Sequence, residues 1–401
     1  MFKRRILSIW NYQMKGSQIY FLAFIIYFLP TFLIDTTFSV TLGDHWLRLI
    51  SYISLPLLFF KILFLDGWNK KQLFLILAIF LIGLISWRAA QDNLLLMIIP
   101  FVVGAKNVYL RDIMSWYVYL CAILMLAVAV FSLLSIIPNL IFYSDTRPTR
   151  YSLGMNYPSE IAAHYLYLTL AYCYLRFGKL KWFDYLMICV GDIACMLITN
   201  TRLDFIATIA AIPIMIIAQR AFKGDRWSQI LASFWWMAVP ILSIVTIFSS
   251  YFFDPNNHIF AKLNSLASGR LALGYDAFHK CQVSLFGNTI VEHSFVGTKG
   301  LQLARGVNEA GKQYFYIDSS YMRMFLLWGL LMFILIVFCF TYIAVRSTIH
   351  RTFIMSAIIL IASLNFMFEP NIIKIIYDPI LLALLAKPYF YSFQEEHNNA
   401  E

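Results

Sequence analysis

The chain is written as apolar blocks of close to twenty residues separated by short stretches of charge. That is the length one α-helix needs to cross the hydrocarbon core of a bilayer, so the pattern predicts a bundle of spanning helices. Spans are expected near residues 18–34, 46–65, 72–87, 92–105, 112–138, 160–177, 182–199, 203–219, 228–250, 319–345, 352–368 and 371–387. Stretch 92–105 is short and stretch 352–368 carries Asn365 near its end, so the count is twelve give or take one. Composition agrees: 61% of the 401 residues are apolar and 13% are charged, too little charge to cover a water-soluble domain of this size. The expected fold is all-α and polytopic, with residues 1–401 forming a single membrane domain.

Basic residues set the expected orientation. The N-terminus is basic and polar, with no signal-peptide pattern, so the first helix is expected to stay as an anchor. With that end in the cytoplasm, Lys70 and Lys71, Lys106 and Arg111, Lys179 and Lys181, Lys223 and Arg226, and Arg346 and Arg351 all fall in cytoplasmic connections. This is the positive-inside rule, and it also places the C-terminus in the cytoplasm. The formal charge of +10 is thus mostly topological and calls for no nucleic acid. Lys61 is read as the one deep charge, close enough to the cytoplasmic end to snorkel. Five of the six cysteines lie in apolar blocks, leaving Cys281 alone in a loop, and no disulfide framework or metal-ligand spacing follows. There is no P-loop or dinucleotide fingerprint either, so neither a metal nor a cofactor is expected. The tail from Gln394 to Glu401 reads as disordered.

Two longer segments fall outside: 139–159, and a large loop at 251–318 whose glycines and aromatics suggest short amphipathic helices and turns over the membrane face. Arginines on this face run against the positive-inside bias. Arg147, Arg150, Arg202, Arg270, Arg305 and Arg323 form that set. Guanidinium forks match phosphate oxygens, so a pyrophosphate near the outer leaflet would explain them. Snorkelling to headgroups, or pairing with Asp145, Asp204, Asp276 or Glu309, would explain them without a ligand. Asp318 is a candidate general base, although a helix N-cap would use the same residue type. Glu292-His293 is a second acid/base candidate, and Glu160 a third that doubles as a first-turn acid. Tyr314, Phe315, Tyr316 and Tyr321 offer flat rings of the kind that pack on sugars, or an interfacial belt.

Four stretches carry a family resemblance: Arg150-Tyr151-Ser152-Leu153-Gly154 with Asn156-Tyr157-Pro158, then Thr201-Arg202, Ser268-Gly269-Arg270, and Asp318-Ser319-Ser320-Tyr321. In order and placement they resemble the Wzy-like O-antigen and capsular polysaccharide polymerase and ligase superfamily, across residues 145–332. In the ligase branch the large loop ends on His, then Asn, Ser or Gln, nine residues, and Gly. Here Asp318-Ser319, nine residues and Gly329 follow that spacing with Asp in place of His, which favours polymerase over ligase.

The resemblance implies a metal-independent glycosyltransferase at the outer face of a bacterial plasma membrane, making O-antigen, capsule or exopolysaccharide. Its donor and acceptor would be undecaprenyl-pyrophosphate-linked oligosaccharides, with a chain-length regulator and a flippase as partner proteins. By carry-over, Arg150, Arg202, Arg270 and Arg323 would hold the leaving pyrophosphate. Asp318 would activate the acceptor hydroxyl, with His293 as a substitute, and the reaction would invert the anomeric centre. A lipid-linked oligosaccharide flippase and an O-antigen ligase are the alternatives.

Overall fold

The computed structural model describes residues 15–144, 147–304 and 314–388. Arg305, Asp145, Glu309 and the tail from Gln394 lie outside these residues, as does the side chain of Arg147. The chain is mostly helical (71%), with eight helices long and apolar enough to cross a bilayer. The architecture is that of a helical, multi-pass membrane protein. The eight are α1 (Gly16–Ile34), α2 (Asp44–Leu65), α3 (Lys70–Ala90), α5 (Leu110–Leu133), α7 (Trp182–Thr199), α8 (Arg202–Phe222), α9 (Arg226–Tyr251) and α14 (Leu330–Ile349). Each matches one of the expected blocks.

The remaining expected spans differ in an instructive way. Stretch 92–105 forms α4 (Leu94–Gly104) and stretch 352–368 forms α15 (Ile354–Phe366), both shorter than a bilayer crossing. Almost every residue in either helix is buried. A helix enclosed by its neighbours meets no lipid, so its length need not match the bilayer. Stretch 160–177 is α6 (Pro158–Leu175), which packs against α5, α7, α8 and α15 and buries Glu160's neighbours Ser159 and Ala163 with His164.

The twelfth expected span is not a helix. Residues 371–387 still run from the end of the bundle near Glu369 to the opposite end, where the Lys387 N–H donates to the Val108 carbonyl, but they do so through turns and one short 3₁₀ helix, Ile380–Leu384. Irregular backbone survives at membrane depth only when protein encloses it and satisfies its polar groups. Here Ile372, Ile373, Ile375, Ile376 and Tyr377 are each 1% exposed. Tyr117 donates its hydroxyl to the Tyr377 carbonyl, Arg346 donates to the Ala383 carbonyl, and Ile372 donates to the Ser320 hydroxyl. Pro370 and Pro379 deny the segment a continuous helix.

The expected span 319–345 is also interrupted, at Gly329 (φ +90°), between α13 (Ser320–Met322) with the wider turn Arg323–Trp328 that continues it and α14. Loop residues 284–288 press against this break. The Leu330 and Leu331 N–H groups, which a helix start leaves unpaired, donate to the Ser284 and Leu285 carbonyls, and the Asn288 amide donates to Leu326 O at 2.9 Å. A Cβ on Gly287 or Gly329 would run into backbone of the other strand of chain, so both positions require glycine.

One small sheet departs from the all-α expectation. Strands β1 (Ile141–Ser144) and β2 (Arg147–Tyr151) pair antiparallel, with Phe142 opposite Arg150. The large loop contributes α10 (His258–Leu266), α11 (Arg270–Lys280) and α12 (Gly297–Ala304), in keeping with the short helices expected there. Lys61 is not a snorkelling side chain. It is 1% exposed, pairs with Asp66 at 2.5 Å and donates to the Lys106 carbonyl at 2.8 Å.

Candidate functional site

Three of the four sequence stretches singled out above turn out to be left-handed turns at the same end of the bundle. Leu153 (φ +44°) and Gly154 (φ +86°) turn the chain out of β2, and a Cβ at Gly154 would meet Val128 and Ile137 at 2.9 Å. Asn200 (φ +48°) closes α7 just before Thr201-Arg202, and Ser268 (φ +54°) with Gly269 (φ +88°) launches α11. Each turn delivers an arginine: Arg150 from β2, Arg202 at the first position of α8, Arg270 at the first position of α11.

These three arginines line one cavity of ≈ 190 Å³, with Tyr157, Thr201 and Glu369. Arg150 is fixed by donating Nε to the Thr199 carbonyl (2.8 Å) and Nη1 to the Tyr157 hydroxyl (3.1 Å). Arg202 is exposed. Arg270 donates to the Phe368 carbonyl (3.3 Å) and stands between two carboxylates, Glu369 at 3.3 Å and Asp318 at 3.7 Å.

Arg270 and Glu369 also line a second cavity, of ≈ 230 Å³, which adds Asp318, Glu160, Tyr314, Tyr316 and Lys374. Asp318 is not the helix cap: the cap is Ser319, whose hydroxyl accepts from the Met322 N–H at 3.4 Å. Asp318 is thereby left to face the cavity and Arg270. Burial pushes its carboxyl above the ordinary value, against the pull of Arg270 and Arg323. Burial, with the nearby Asp204 carboxyl, pushes Glu369 up to about 8, so near neutral pH Glu369 largely holds its proton. Glu160 accepts from the Tyr157 N–H at 3.0 Å, the first-turn role expected of it, while its residue lines this cavity.

Tyr316 and Lys374 in turn border a third cavity, of ≈ 380 Å³. Arg323 lies on that side. Its fork is taken up by Glu292 (3.0 and 2.5 Å), it donates to the Ile317 carbonyl (3.1 Å), and it stacks 4.9 Å from the Tyr316 ring centre. The structure therefore brings Arg150, Arg202, Arg270 and Asp318 together, and sets Arg323 apart with its charge already answered. His293 lines none of the three cavities. Its backbone pairs with Phe315, in a bridge that holds the end of the large loop.

Two site residues had escaped notice in the sequence. Glu369 sits in a two-residue connection, and Lys374 lies inside an apolar stretch expected to be a span, so Lys61 is not the one deep charge. An ionisable residue within such a stretch is itself a signal of function. Among the described residues, no group of three His, Cys, Asp or Glu side chains is placed to hold a metal ion. No protein-family model matches the sequence, and no curated protein or solved structure matches it.

Proposed function

We propose that this protein is a lipid-dependent glycosyltransferase that joins undecaprenyl-pyrophosphate-linked oligosaccharides at the outer face of a bacterial plasma membrane, as a repeat-unit polymerase. The observation that carries the reading is the shared cavity of Arg150, Arg202 and Arg270, three guanidinium groups facing one carboxyl that is largely neutral. That excess of positive charge at the end of a membrane bundle suits a lipid-borne pyrophosphate.

In this scheme the bond between the anomeric carbon and the pyrophosphate oxygen breaks, and its electron pair leaves with the pyrophosphate. The arginines stabilise the charge that grows there. The acceptor hydroxyl oxygen forms the new bond to the anomeric carbon and gives its proton to Asp318, whose raised pKa makes it a stronger base than an ordinary carboxylate. A single displacement of this kind inverts the anomeric centre. Tyr314, stacked on Phe295 at 4.3 Å between ring centres, supplies an aromatic wall beside Asp318.

The test is to give the purified protein in lipid bilayers lipid-linked repeat units and no nucleotide sugar. A ladder of lengthening chains, lost in Arg270→Ala, is expected; no ladder from authentic units would sink the reading. One observation favours a transporter instead: the non-helical segment 371–379 holds Lys374 at the edge of two cavities, as broken segments hold charged groups in transporters. Movement of labelled lipid across the bilayer without chain growth would establish that alternative.

A further inference from the structure

The largest of the three cavities is chemically unlike the arginine cavity beside it. Its charged lining residues balance, with Asp35, Asp92 and Glu292 against Arg48, Arg323 and Lys374, and Arg323 is already held by both oxygens of Glu292. A phosphate here would face three acidic side chains, and the Arg323 fork is already taken, leaving Arg48 as the only guanidinium in the lining without a hydrogen-bond partner among the described residues. What the cavity does offer is a wall of hydrogen-bonding groups held in fixed positions.

Asn93 accepts from the Trp87 indole N–H (2.8 Å) and donates to the Tyr52 hydroxyl (2.7 Å). Asp92 accepts from the Trp328 indole N–H (3.0 Å) with one oxygen and from the Leu94 N–H (3.1 Å) with the other. Tyr52 therefore keeps its own hydroxyl proton to donate, Asn93 keeps a second N–H, and Asp92 keeps spare lone pairs. Fixed donors and acceptors beside the Tyr27, Tyr52 and Tyr316 rings form a site for a neutral polyhydroxyl ligand, whose many hydroxyls donate and accept and whose ring faces are apolar. The volume is in the range of small-molecule sites.

We infer that this cavity binds the glycan of the acceptor, apart from the pyrophosphate cavity, with the sugar passing Tyr316 and Lys374 to present a hydroxyl to Asp318. Those two residues line both chambers, which places the chambers side by side. The acceptor role rests on the glycosyltransferase reading; the sugar-binding chemistry does not.

The experiment uses the full-length protein in lipid bilayers and, as probe, the lipid-free oligosaccharide released from lipid-linked repeat units by mild acid and labelled at its reducing end. Equilibrium binding is expected, weakened about tenfold by Tyr52→Phe and by Asn93→Ala, as loss of one well-placed hydrogen bond to a ligand predicts. Tyr52→Phe removes a single oxygen and keeps the test open should Asn93→Ala fold poorly. Arg150→Ala should leave this binding unchanged, and inorganic pyrophosphate should not displace the probe. No binding to the wild type, displacement by pyrophosphate, or equal loss in Arg150→Ala would each overturn the inference. Because binding is read without turnover, a protein that holds the oligosaccharide but builds no ladder keeps the sugar site and loses the enzyme reading; a ladder without oligosaccharide binding does the reverse.

Discussion

Two clusters of charge sit at opposite ends of this bundle, and they are built to different standards of closure. At one end Lys61 and Asp66 are 1% and 2% exposed and touch at 2.5 Å, with the Lys106 carbonyl taking a further ammonium proton. At the other, Arg270 reaches Glu369 and Asp318 at 3.3 and 3.7 Å, with the arginine 21% exposed and cavities on either side. The first pair is closed off from solvent, with one Asp66 oxygen on the ammonium. The second is loose, and its groups border space in which a ligand's charge would supply what they lack. The contrast is between a charge closed within the fold and charges open to a cavity, although both read alike as basic residues near apolar blocks.

The sharpest way to break this distinction is Asp66→Ala. It leaves the Lys61 ammonium buried without its partner, and a loss of about 3–5 kcal/mol is expected, measured as a fall in thermal unfolding temperature in lipid or detergent. A small change would mean that the Lys61 pocket is wetter than its geometry indicates. Arg270→Ala should show the opposite balance: transfer reduced about 10²–10³-fold, as for loss of one charge-stabilising donor, with a smaller stability loss than Asp66→Ala because water can reach the carboxylates left behind. Equal stability losses in the two variants would erase the comparison.

A third measurement concerns pH. Because Glu369 in the folded protein is raised to about 8, the fold retains a proton that the unfolded chain, with an ordinary carboxyl value, has released. Stability from this group is fully present below the unfolded value and is lost as pH rises toward 8. Thermal unfolding between pH 5 and 9 should fall with pH in the wild type and fall less in Glu369→Gln; identical slopes would remove Glu369 from the account. The smallest effect is assigned to His293→Ala. Its side chain lines none of the cavities, so stability within about 0.5 kcal/mol of wild type and unchanged turnover are expected, and a clear loss of turnover would return His293 to the site.

Much of the candidate site was legible one residue at a time. Arg150, Arg202 and Arg270 stood out because they oppose the charge bias of their side of the membrane, and Gly154 and Gly269 marked the turns that aim two of them. What the sequence concealed was how the charges pair. Arg323 carried the same signal as Arg270, yet Glu292, 31 positions away, has already claimed it. Glu369 gave no signal, since one acid in a short connection is unremarkable until a fold places it against an arginine 99 positions earlier in the chain. Lys374 did give one, but an apolar stretch of spanning length hid it.

Block length and charge bias are local properties, so the sequence by itself determined a multi-pass helical bundle and a set of arginines that oppose the charge bias, Arg150, Arg202, Arg270 and Arg323 among them. Only the tertiary structure decided that α4 and α15 are short and enclosed by their neighbours, that residues 371–387 run along the bundle without being a helix, and that Asp318 faces Arg270 instead of capping a helix. These outcomes depend on which surfaces neighbouring segments cover and which polar groups they satisfy. In a bilayer, where an unsatisfied backbone group costs several kcal/mol, that enclosure determines whether a stretch of chain must be a helix at all.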